Sequence, residues 1–458
     1  MPPLPELLRL GHFFGMRPPN PARGGRVACK NSATRPLETT SAPAAAPLDE
    51  RFRLGVRSET DLLRRVIVHT PGDEMDLVSP ETRMDLLFDD ILFVGQAQTE
   101  HLLVCAVLEK VIGRAGGVLQ IADLLREAFR GEEARAAFVR ELCAISAGKN
   151  LHAFESRLAR LAPEELHRFA ITGESLLPIY EEPVPNLLFT RDVAAVVGEH
   201  IILSHPATSA RARESVIMST ILRYHPGFEA VRGNVLTLPA GVTFEGGDLI
   251  VASDKLVLVG HSERTSFSGV MAIANTLFAH TSVEHVLLVD LPKRRSCMHL
   301  DTVFNFITPN ECVVFPPLFD EGVPGNIVHF TRSGEADKFH SRIRPNLKTT
   351  LEELLERPLT FIPCGGNDAL SQRREQWTDG ANFFALAPGV VMGYERNHRT
   401  FEMLQRAGYR VVSAQGFLDY HAESDYAHGE KIAIKMGGTE LSRGRGGPRC
   451  MTLPLARG

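Results

Sequence analysis

The sequence predicts a mixed α/β protein built from repeated units, in each of which a β-hairpin is followed by a helix. The order of strand, tight turn, strand, polar stretch and helix recurs in residues 193–222, 249–278 and 383–407. Between about residues 96 and 172, apolar side chains recur instead at helical spacing. We therefore expect a pseudo-symmetric α/β array with a central site, interrupted by a cluster of helices. Chance recurrence stays open, because hairpins followed by helices are common in α+β proteins.

Local signals predict individual elements along the chain. The run Val66-Ile67-Val68 is typical of a buried strand that ends at Pro71-Gly72. Two adjacent glycines at residues 116–117 break the helical segment. The stretch from Met451 to Leu455 is predicted to be a short buried strand. The hairpin turns are predicted at Gly198-Glu199, Ser253-Asp254 and Pro388-Gly389.

Composition argues against several classes of protein. The chain has 458 residues, a formal net charge of -5, 44% hydrophobic and 23% charged residues, as is typical of soluble globular proteins. This charge gives no support for nucleic-acid binding, and no apolar run reaches the roughly 20 residues of a transmembrane helix. None of the seven cysteines forms a pair with metal-site or disulfide spacing. We therefore expect a reducing compartment, no metal and no cofactor.

The first fifty residues differ from the rest of the chain. Between Leu7 and Leu37 there is no acidic residue, although there are five arginines and one lysine. Such a segment is unsuited to a packed core, and it resembles either a transit peptide or a disordered bacterial-type extension. We therefore expect an extension at residues 1–50 and a folded domain at 51–458. The expected location is the cytoplasm, or a mitochondrion or chloroplast if the extension is a transit peptide.

Cys450 is the candidate nucleophile. It follows the run Arg443-Gly444-Arg445-Gly446-Gly447-Pro448-Arg449. Three nearby arginines are expected to lower the pKa of the thiol, and the glycines allow the backbone to approach a ligand closely. Most cysteines are small buried hydrophobic residues, and Gly-Arg runs are often solvated tails. This neighbourhood alone therefore leaves both interpretations open.

Other polar groups are candidates on similar grounds. His299 and Asp301 lie two residues apart, so on a strand they would share one face, and the carboxylate would raise the pKa of the histidine. Glu245 begins Glu-Gly-Gly-Asp, a turn before a strand. Each pattern also fits an ordinary hydrogen-bonded pair or hairpin turn. Asn186 and Asp192 belong to another polar cluster, whose alternative interpretation is a solvent loop.

Arg211 and Arg264 each follow the second strand of a hairpin unit. Equivalent positions in two units would bring both arginines to one end of the array. The alternative is that they are exposed charges at the start of helices.

Together these groups match the chemistry of a guanidinium substrate. A guanidinium is permanently charged, so a buried one needs carboxylate partners. Attack on its carbon needs a strong nucleophile such as a thiolate. One histidine can protonate the leaving amine and then activate water, and arginines can bind the carboxylate of an amino-acid substrate.

At about residues 54–455 the chain resembles the arginine deiminase family of the guanidino-group-modifying (pentein) superfamily. The resemblance implies a five-bladed α/β propeller with pseudo-fivefold symmetry and an inserted helical bundle, which fits residues 97–176. The motifs that carry it are Leu86–Asp90, Asn186–Asp192, Glu245–Asp248, His299–Asp301, Glu375–Gly380 and Glu440–Met451.

The resemblance also implies a role for each candidate residue. The implied reaction is hydrolysis of L-arginine to L-citrulline and ammonia through an S-alkylthiouronium on Cys450, without a cofactor. The implied catalytic residues are Cys450 as nucleophile, His299 as general acid and base, Glu245 as its partner, and Asp192 and Asp301 as guanidinium ligands. The implied substrate-binding residues are Asn186, Arg211 and Arg264 at the α-carboxylate, Arg445 as a mobile gate, and Phe189 and Leu87 around the aliphatic stem.

Two other classes of function stay open. An amidinotransferase would pass the amidino group to an amine, and a pentein interaction protein would be catalytically silent. Hydrolases of methylated arginine or of agmatine are closer relatives in chemistry, but two carboxylate-binding arginines argue against agmatine, which has no carboxylate. The expected partner is L-arginine, with no nucleic acid and no membrane. We also expect a homo-oligomer, either a dimer or a tetramer.

Overall fold

The computed structural model describes residues 52–113, 116–146, 151–319, 327–333, 339–422 and 429–458, with the backbone alone at Leu151. The extension predicted at residues 1–50 lies outside this part of the chain. Within it, eighteen β-strands and thirteen α-helices form a mixed α/β protein, as the sequence predicts.

The strands are short, with two to six residues each. In chain order they are β1 (Leu63–Val68), β2 (Val118–Gln120), β3 (Ala194–Val197), β4 (His200–Leu203), β5 (Val235–Leu236), β6 (Leu249–Val251), β7 (Leu256–His261), β8 (His285–Asp290), β9 (Phe304–Thr308), β10 (Glu311–Val314), β11 (Ile327–Arg332), β12 (Phe339–Arg344), β13 (Thr360–Pro363), β14 (Phe384–Ala387), β15 (Val390–Tyr394), β16 (Arg410–Ser413), β17 (Ile432–Met436) and β18 (Leu453–Arg457).

The helices range from single turns to one of 19 residues. They are α1 (Asp73–Asp76), α2 (Val94–Ile112), α3 (Ile121–Ala128), α4 (Glu132–Ile145), α5 (Leu151–Leu158), α6 (Pro163–Thr172), α7 (Ala212–Tyr224), α8 (Phe267–His280), α9 (Pro316–Phe319), α10 (Leu347–Leu355), α11 (Ala369–Trp377), α12 (His398–Arg406) and α13 (Ala414–Tyr420).

One three-strand pattern recurs in each of the five sheets that the described strands form. A central strand pairs antiparallel with one neighbour and parallel with a strand that follows a helix; the antiparallel neighbour is the other strand of a hairpin in four sets and the distant β18 in the fifth. The five sets are β3-β4-β5, β6-β7-β8, β9-β10-β13, β14-β15-β17 and β18-β1-β2. Strands β11 and β12 extend the second set, and β16 extends the fourth.

The elements predicted from the sequence are present. The three predicted hairpins are β3–β4, β6–β7 and β14–β15, and the helices α7, α8 and α12 follow them. The strand predicted at Val66–Val68 is the end of β1, and the strand predicted at Met451–Leu455 lies two residues later, as β18 (Leu453–Arg457).

The segment predicted to be helical contains α2 to α6 and also strand β2, which pairs with β1. Helix α2 packs into a hydrophobic core with β1, β15 and β17. Helices α3 to α6 join a different core with α7 and strands β3 to β8. The inserted bundle at residues 97–176 therefore stays a prediction.

The repeated pattern positions the site. Strands β3, β6, β9 and β18 hold equivalent places in their sheets, and short turns precede them. These turns contain Asp192 before β3, Glu245 before β6, and His299 and Asp301 before β9, while Cys450 lies shortly before β18. Side chains far apart in sequence thus occupy the same place in successive sets.

None of the described helices combines the length and the apolar composition that crossing a membrane requires.

Candidate active site

Ten of the eleven candidate residues line one cavity. The exception is Asp301, whose Oδ2 lies 3.7 Å from Cys450 Sγ, directly behind the lining. The lining residues are Leu87, Asn186, Phe189, Asp192, Arg211, Glu245, Arg264, Arg295, Met298, His299, Gly444, Arg445 and Cys450.

The backbone on both sides of the Cys450 side chain is fixed by hydrogen bonds. The Cys450 N–H donates to Asn382 Oδ1 at 3.2 Å, and the Cys450 carbonyl accepts from the Arg191 N–H at 3.0 Å. At Gly447 a Cβ atom would lie 2.6 Å from Asn382 Oδ1, so glycine is required for this close approach. These contacts fix the backbone that carries the thiol, and only 4% of Cys450 is exposed.

His299 lies between two carboxylates. Its Nε2 is 2.9 Å from Glu245 Oε2, and its Nδ1 is 3.6 Å from Asp192 Oδ1. Burial alone would lower the pKa of His299, but the charge of Asp192 and the hydrogen bond to Glu245 raise it from 6.5 to about 9. The imidazole is therefore protonated at neutral pH. The sequence pattern is compatible with His299 and Asp301 as neighbours on one face of a strand. They do not lie on a strand, because residues 300–302 form a 3-10 turn.

Close packing at Gly247 keeps this arrangement compact. A Cβ atom there would lie 2.7 Å from Asp192 Oδ1 and 2.8 Å from the His299 ring. Glu245 is almost fully buried, and burial would raise its pKa. The hydrogen bond from His299 and the charge of Arg211 instead lower that pKa from 4.5 to about 2. Glu245 is therefore ionised at neutral pH.

The carboxylates of Asp192 and Asp301 are alike in the partners of both oxygens. In each, an arginine donates to Oδ2: Arg211 Nη1 to Asp192 at 2.6 Å and Arg449 Nη1 to Asp301 at 2.9 Å. In each, the buried Oδ1 has no hydrogen-bond partner within the described parts of the chain. Of these two unpaired oxygens, that of Asp192 belongs to a residue that lines the cavity, whereas Asp301 is fully buried beside Cys450.

Arg211 is engaged by three acids. Besides Asp192, its guanidinium contacts Glu245 Oε2 at 3.4 Å and Glu214 Oε2 at 2.8 Å. Burial raises the pKa of Glu214 from 4.5 to about 7, although Arg211 opposes the shift. Asp192, Arg211, Glu245 and His299, each at most 5% exposed, are called the inner group below.

The remaining predicted substrate-binding residues line the cavity around the inner group. Asn186 Nδ2 donates to the Leu86 carbonyl at 2.7 Å. Arg264 Nη1 lies 3.8 Å from Glu245 Oε1 and has no hydrogen-bond partner among the residues described. Phe189 is buried in the same core as Leu188, and Leu87 adopts a left-handed φ of 67°.

Arg445 lies on the more exposed side of the cavity. Its Cζ is 3.7 Å from the centroid of the Trp377 ring, and its Nε is 3.4 Å from Asp89 Oδ2, which also contacts Arg295 Nε at 3.4 Å. The side chains of Asp89 and Arg295 are 29% and 28% exposed, and Trp377 is 44% exposed. Asp89, Arg295, Trp377 and Arg445 are called the outer group below.

The expectation that the neighbouring arginines lower the pKa of Cys450 is wrong. Burial, followed by the charges of Asp301 and Asp192, raises that pKa well above its usual 9.0. Arg443 Nε instead donates to Asp90 at 2.9 Å, and the Arg449 guanidinium donates to Glu59 and Asp301. Neighbours in sequence therefore do not tune this thiol; the acids that surround it do.

Asp192, Glu245 and His299 also form the group of possible metal ligands in the described residues, with donor atoms within 4.8 Å of one another. Arg211 already donates to both carboxylates, and its permanent charge repels a metal ion. A protonated His299 offers no lone pair to a metal. With Arg211 on both carboxylates and a proton on each nitrogen of His299, this set of groups does not fit a metal ion.

Some residues of the site were missed. Asn382 follows the Glu375–Gly380 motif, so its contact with the Cys450 backbone could have been suspected from that motif. Met298 and Arg295 precede His299, but nothing in their spacing indicates a place in the cavity. The ion pair between Glu59 and Arg449 spans 390 residues, and no local signal predicts it.

Comparison with known proteins gives one consistent result. The arginine deiminase family matches residues 152–457. The arginine deiminase of Latilactobacillus sakei is 33% identical over 429 residues, covering 88% of this chain and 98% of that protein. The arginine deiminase of Rhodococcus erythropolis is 35% identical over 429 residues, with 88% and 97% covered.

Solved structures give weaker matches. DDAH from Pseudomonas aeruginosa, a mutant complexed with citrulline, matches with a TM-score of 0.46 and 17% identity over 86% of this chain and 99% of that one. The N-terminal domain of ArgZ, a cyanobacterial arginine dihydrolase bound to product, matches with a TM-score of 0.38 and 18% identity over 60% and 76%. The sequence comparisons alone carry the assignment: the chain belongs to the arginine deiminase family.

Proposed function

We propose that the chain hydrolyses free L-arginine to L-citrulline and ammonia, with Cys450 as nucleophile. Family membership supports the reaction. The observation that carries the mechanism is the pair of buried Oδ1 atoms of Asp192 and Asp301 that have no partner in the described residues. A guanidinium presents several N–H donors in one plane, and two carboxylates can receive them with forked hydrogen bonds.

Substrate binding rearranges the charges of the site. A bound guanidinium takes the place on Asp192 that Arg211 now holds at 2.6 Å, because two cations repel each other at short distance. Arg211 then turns toward the substrate α-carboxylate and keeps Glu214 as its partner. Asn186 and Arg264 complete that carboxylate site, and Phe189 and Leu87 pack against the aliphatic stem.

The same binding step activates the thiol. The charges of Asp301 and Asp192 contribute to the raised pKa of Cys450 in the free protein. A cation bound between them offsets those charges, so the pKa of Cys450 falls when arginine is in place. The thiol proton leaves to solvent, and the thiolate forms next to the carbon that it attacks.

The first half of the reaction releases ammonia. The Cys450 thiolate attacks the guanidinium carbon, while Asp192 and Asp301 stabilise the cationic substrate. Protonated His299 gives its proton to the leaving nitrogen, the C–N bond breaks and ammonia departs. An S-alkylthiouronium remains on Cys450, and His299 is neutral.

The second half releases citrulline. Neutral His299 takes a proton from water, and the oxygen attacks the thiouronium carbon. The C–S bond then breaks and restores the Cys450 thiolate. Water gives up two protons in this half of the reaction. One stays on His299, and the other passes to solvent, where it converts the released ammonia into ammonium. Glu245 holds the imidazole in position throughout, as the 2.9 Å contact indicates.

A single assay tests this function and separates it from transfer. The purified protein is incubated with L-arginine and no amine acceptor, and citrulline and ammonia are measured. Equal amounts of both products are expected. Folded protein that releases neither product would contradict the proposal, and activity that appears only when an amine is added would favour an amidinotransferase.

We also propose that the five three-strand sets are the blades of a five-bladed α/β propeller around this cavity. The recurring antiparallel-then-parallel pairing supports it, as do the site residues that precede equivalent strands. In this proposal the inserted bundle is the predicted segment at residues 97–176, of which α3 to α6 lie between the set β18-β1-β2 and the set β3-β4-β5. A crystal structure with the blades related by rotations of about one fifth of a turn would test the arrangement.

The homo-oligomer and the cytoplasmic location stay predictions. Light scattering after size-exclusion chromatography would show whether two or four copies assemble. Sequencing the N-terminus of the protein from its native source would show whether the first fifty residues are removed.

A further inference from the structure

The single tryptophan of the sequence has no part in the proposed reaction. Trp377 does not line the cavity, yet its ring faces the Arg445 guanidinium, with 3.7 Å between Cζ and the ring centroid. A cation this close to an aromatic face is attracted by the ring quadrupole, and more strongly where water is excluded. Arg445 is 6% exposed, so its guanidinium is largely shielded from solvent, although Trp377 is 44% exposed.

Arg445 leaves hydrogen bonds unmade in this position. Its buried Nε and Nη1 have no hydrogen-bond partner in the part of the chain that the structure describes. Its backbone adopts a φ of 65°, in the left-handed region that costs a residue with a side chain free energy. Two contacts of the guanidinium are the stack on Trp377 and the 3.4 Å approach of Nε to Asp89 Oδ2. The Nη1–H groups stay available to an acceptor in the cavity.

The backbone that presents the tryptophan ring is itself well fixed. Thr378 Oγ1 donates to Asn397 Oδ1 at 2.6 Å, and Asn397 Nδ2 donates back to the Thr378 carbonyl at 2.9 Å. Gly380 leaves no room for a side chain, because a Cβ atom there would lie 2.7 Å from the Glu375 carbonyl oxygen. A ring on such a turn can hold a partner side chain in one orientation.

We propose that Trp377 is a positioning residue for recognition of the anionic end of the substrate. Its ring holds the Arg445 guanidinium at the cavity, where the unused Nη1–H groups can donate to the α-carboxylate. The stack belongs to the free protein, whereas the identity of the carboxylate rests on the function proposed above. The test therefore has one part without ligand and one part with substrate.

The part without ligand uses tryptophan fluorescence, since all of the tryptophan emission comes from Trp377. Acrylamide quenching is compared in the wild type, Arg445→Ala and Arg443→Ala. We expect Arg445→Ala to raise the quenching constant, because one face of the ring loses its cover. Arg443→Ala removes a nearby arginine that contacts Asp90 and Glu440 instead, and it should quench like the wild type. Equal quenching in all three proteins would overturn the proposal.

The part with substrate measures KM and kcat separately. We expect Trp377→Leu to raise KM for L-arginine roughly threefold to thirtyfold while kcat stays within about twofold. Trp377→Phe keeps an aromatic face and should restore most of the affinity. Leu370→Ala, at an exposed apolar residue of the same helix, is the control for nonspecific effects.

The two parts separate failure of this inference from failure of the proposed function. If the wild type releases citrulline but Trp377→Leu keeps the wild-type KM, Trp377 has no role in recognition and the proposed reaction still stands. If the wild type releases no citrulline, the proposed reaction fails, and the role in arginine recognition fails with it. The quenching comparison then decides whether Trp377 holds Arg445 at all.

Discussion

The inner and outer groups of the cavity are both built from charged side chains, but they hold those charges differently. Short polar contacts join the inner group, such as 2.6 Å from Arg211 to Asp192 and 2.9 Å from His299 to Glu245. The outer group relies on an aromatic stack and a 3.4 Å ion pair, and it leaves Arg445 Nη1 without a hydrogen-bond partner in the described residues. The hydrogen-bonded pair of His299 and Glu245 is thus in place before substrate arrives, whereas the outer group keeps a donor for binding.

The largest effect is expected at the thiol beside the inner group. Cys450→Ala should lower kcat by a factor on the order of 10⁶, as removal of a catalytic nucleophile does. Cys450→Ser should be almost as inactive, because a hydroxyl is a poor nucleophile in a site arranged for a thiolate. Arginine should still bind to both variants in calorimetry, since the carboxylates remain. Cys364→Ala, at a buried cysteine of another core, should stay active, and substantial turnover by Cys450→Ala would remove Cys450 as nucleophile.

His299→Ala should have the next largest effect, a loss of about 10² to 10⁴ in kcat. Without the imidazole, the leaving nitrogen gains no proton and water is not activated. Mass spectrometry of the protein with arginine would show either no adduct or an adduct that persists. His285→Ala, within the β8–β11 pairing, serves as the control. Wild-type kinetics in His299→Ala would mean that another group moves the proton.

The pH dependence of stability should reveal the inner group as well. The pKa of His299 is raised from 6.5 to about 9, so its stabilising contribution is complete below 6.5 and is lost as the pH rises through about 9. Thermal melts of wild type and His299→Gln across this range are expected to converge as the pH rises. A constant difference between the two melting temperatures would contradict the raised pKa.

The smallest expected effect is on the melting temperature and comes from Asp379, whose pKa the charges of Arg445 and Arg295 lower. Burial raises the pKa of Asp379 from 3.8 to about 7, so the folded state prefers the neutral acid. That contribution is complete below 3.8 and is lost as the pH rises through about 7. Asp379→Asn imitates the neutral acid, and above this range it should melt a few degrees higher than the wild type. A lower melting temperature there would mean that the ionised carboxylate supports the outer group.

Much of the site could be predicted because its motifs resemble those of a known family. The hairpin units recognised from the sequence follow Asp192 and Glu245, but the hairpin β9–β10 that follows His299 was not among them. The electrostatics could not be predicted in the same way. Cys450 follows three arginines in sequence, yet its pKa rises because burial and carboxylates from distant strands act on it.

The local backbone geometry of the site could not be predicted from the sequence either. A His-x-Asp pair fits a strand as well as a turn, and the 3-10 turn at residues 300–302 is fixed by tertiary contacts such as Asp248 Oδ1 with the Leu300 N–H at 2.9 Å. Arg449 donates to Glu59, and no local pattern in the sequence connects these two residues. The family resemblance thus predicted which residues meet, but neither it nor the local patterns predicted their hydrogen bonds.

The pairing of β18 with β1 has a consequence for the synthesis of the protein. Residues 63–67 lie opposite 453–457, and Glu59 binds Arg449 near the nucleophile. A contact between such distant residues forms only after a large loop has closed, which is slow in β-rich folds. In a ribosome-bound chain whose β18 has not yet formed, Cys450 is not yet held by the contacts of the folded site. A chain in which β18 has not yet paired with β1 would therefore be inactive in the proposed reaction.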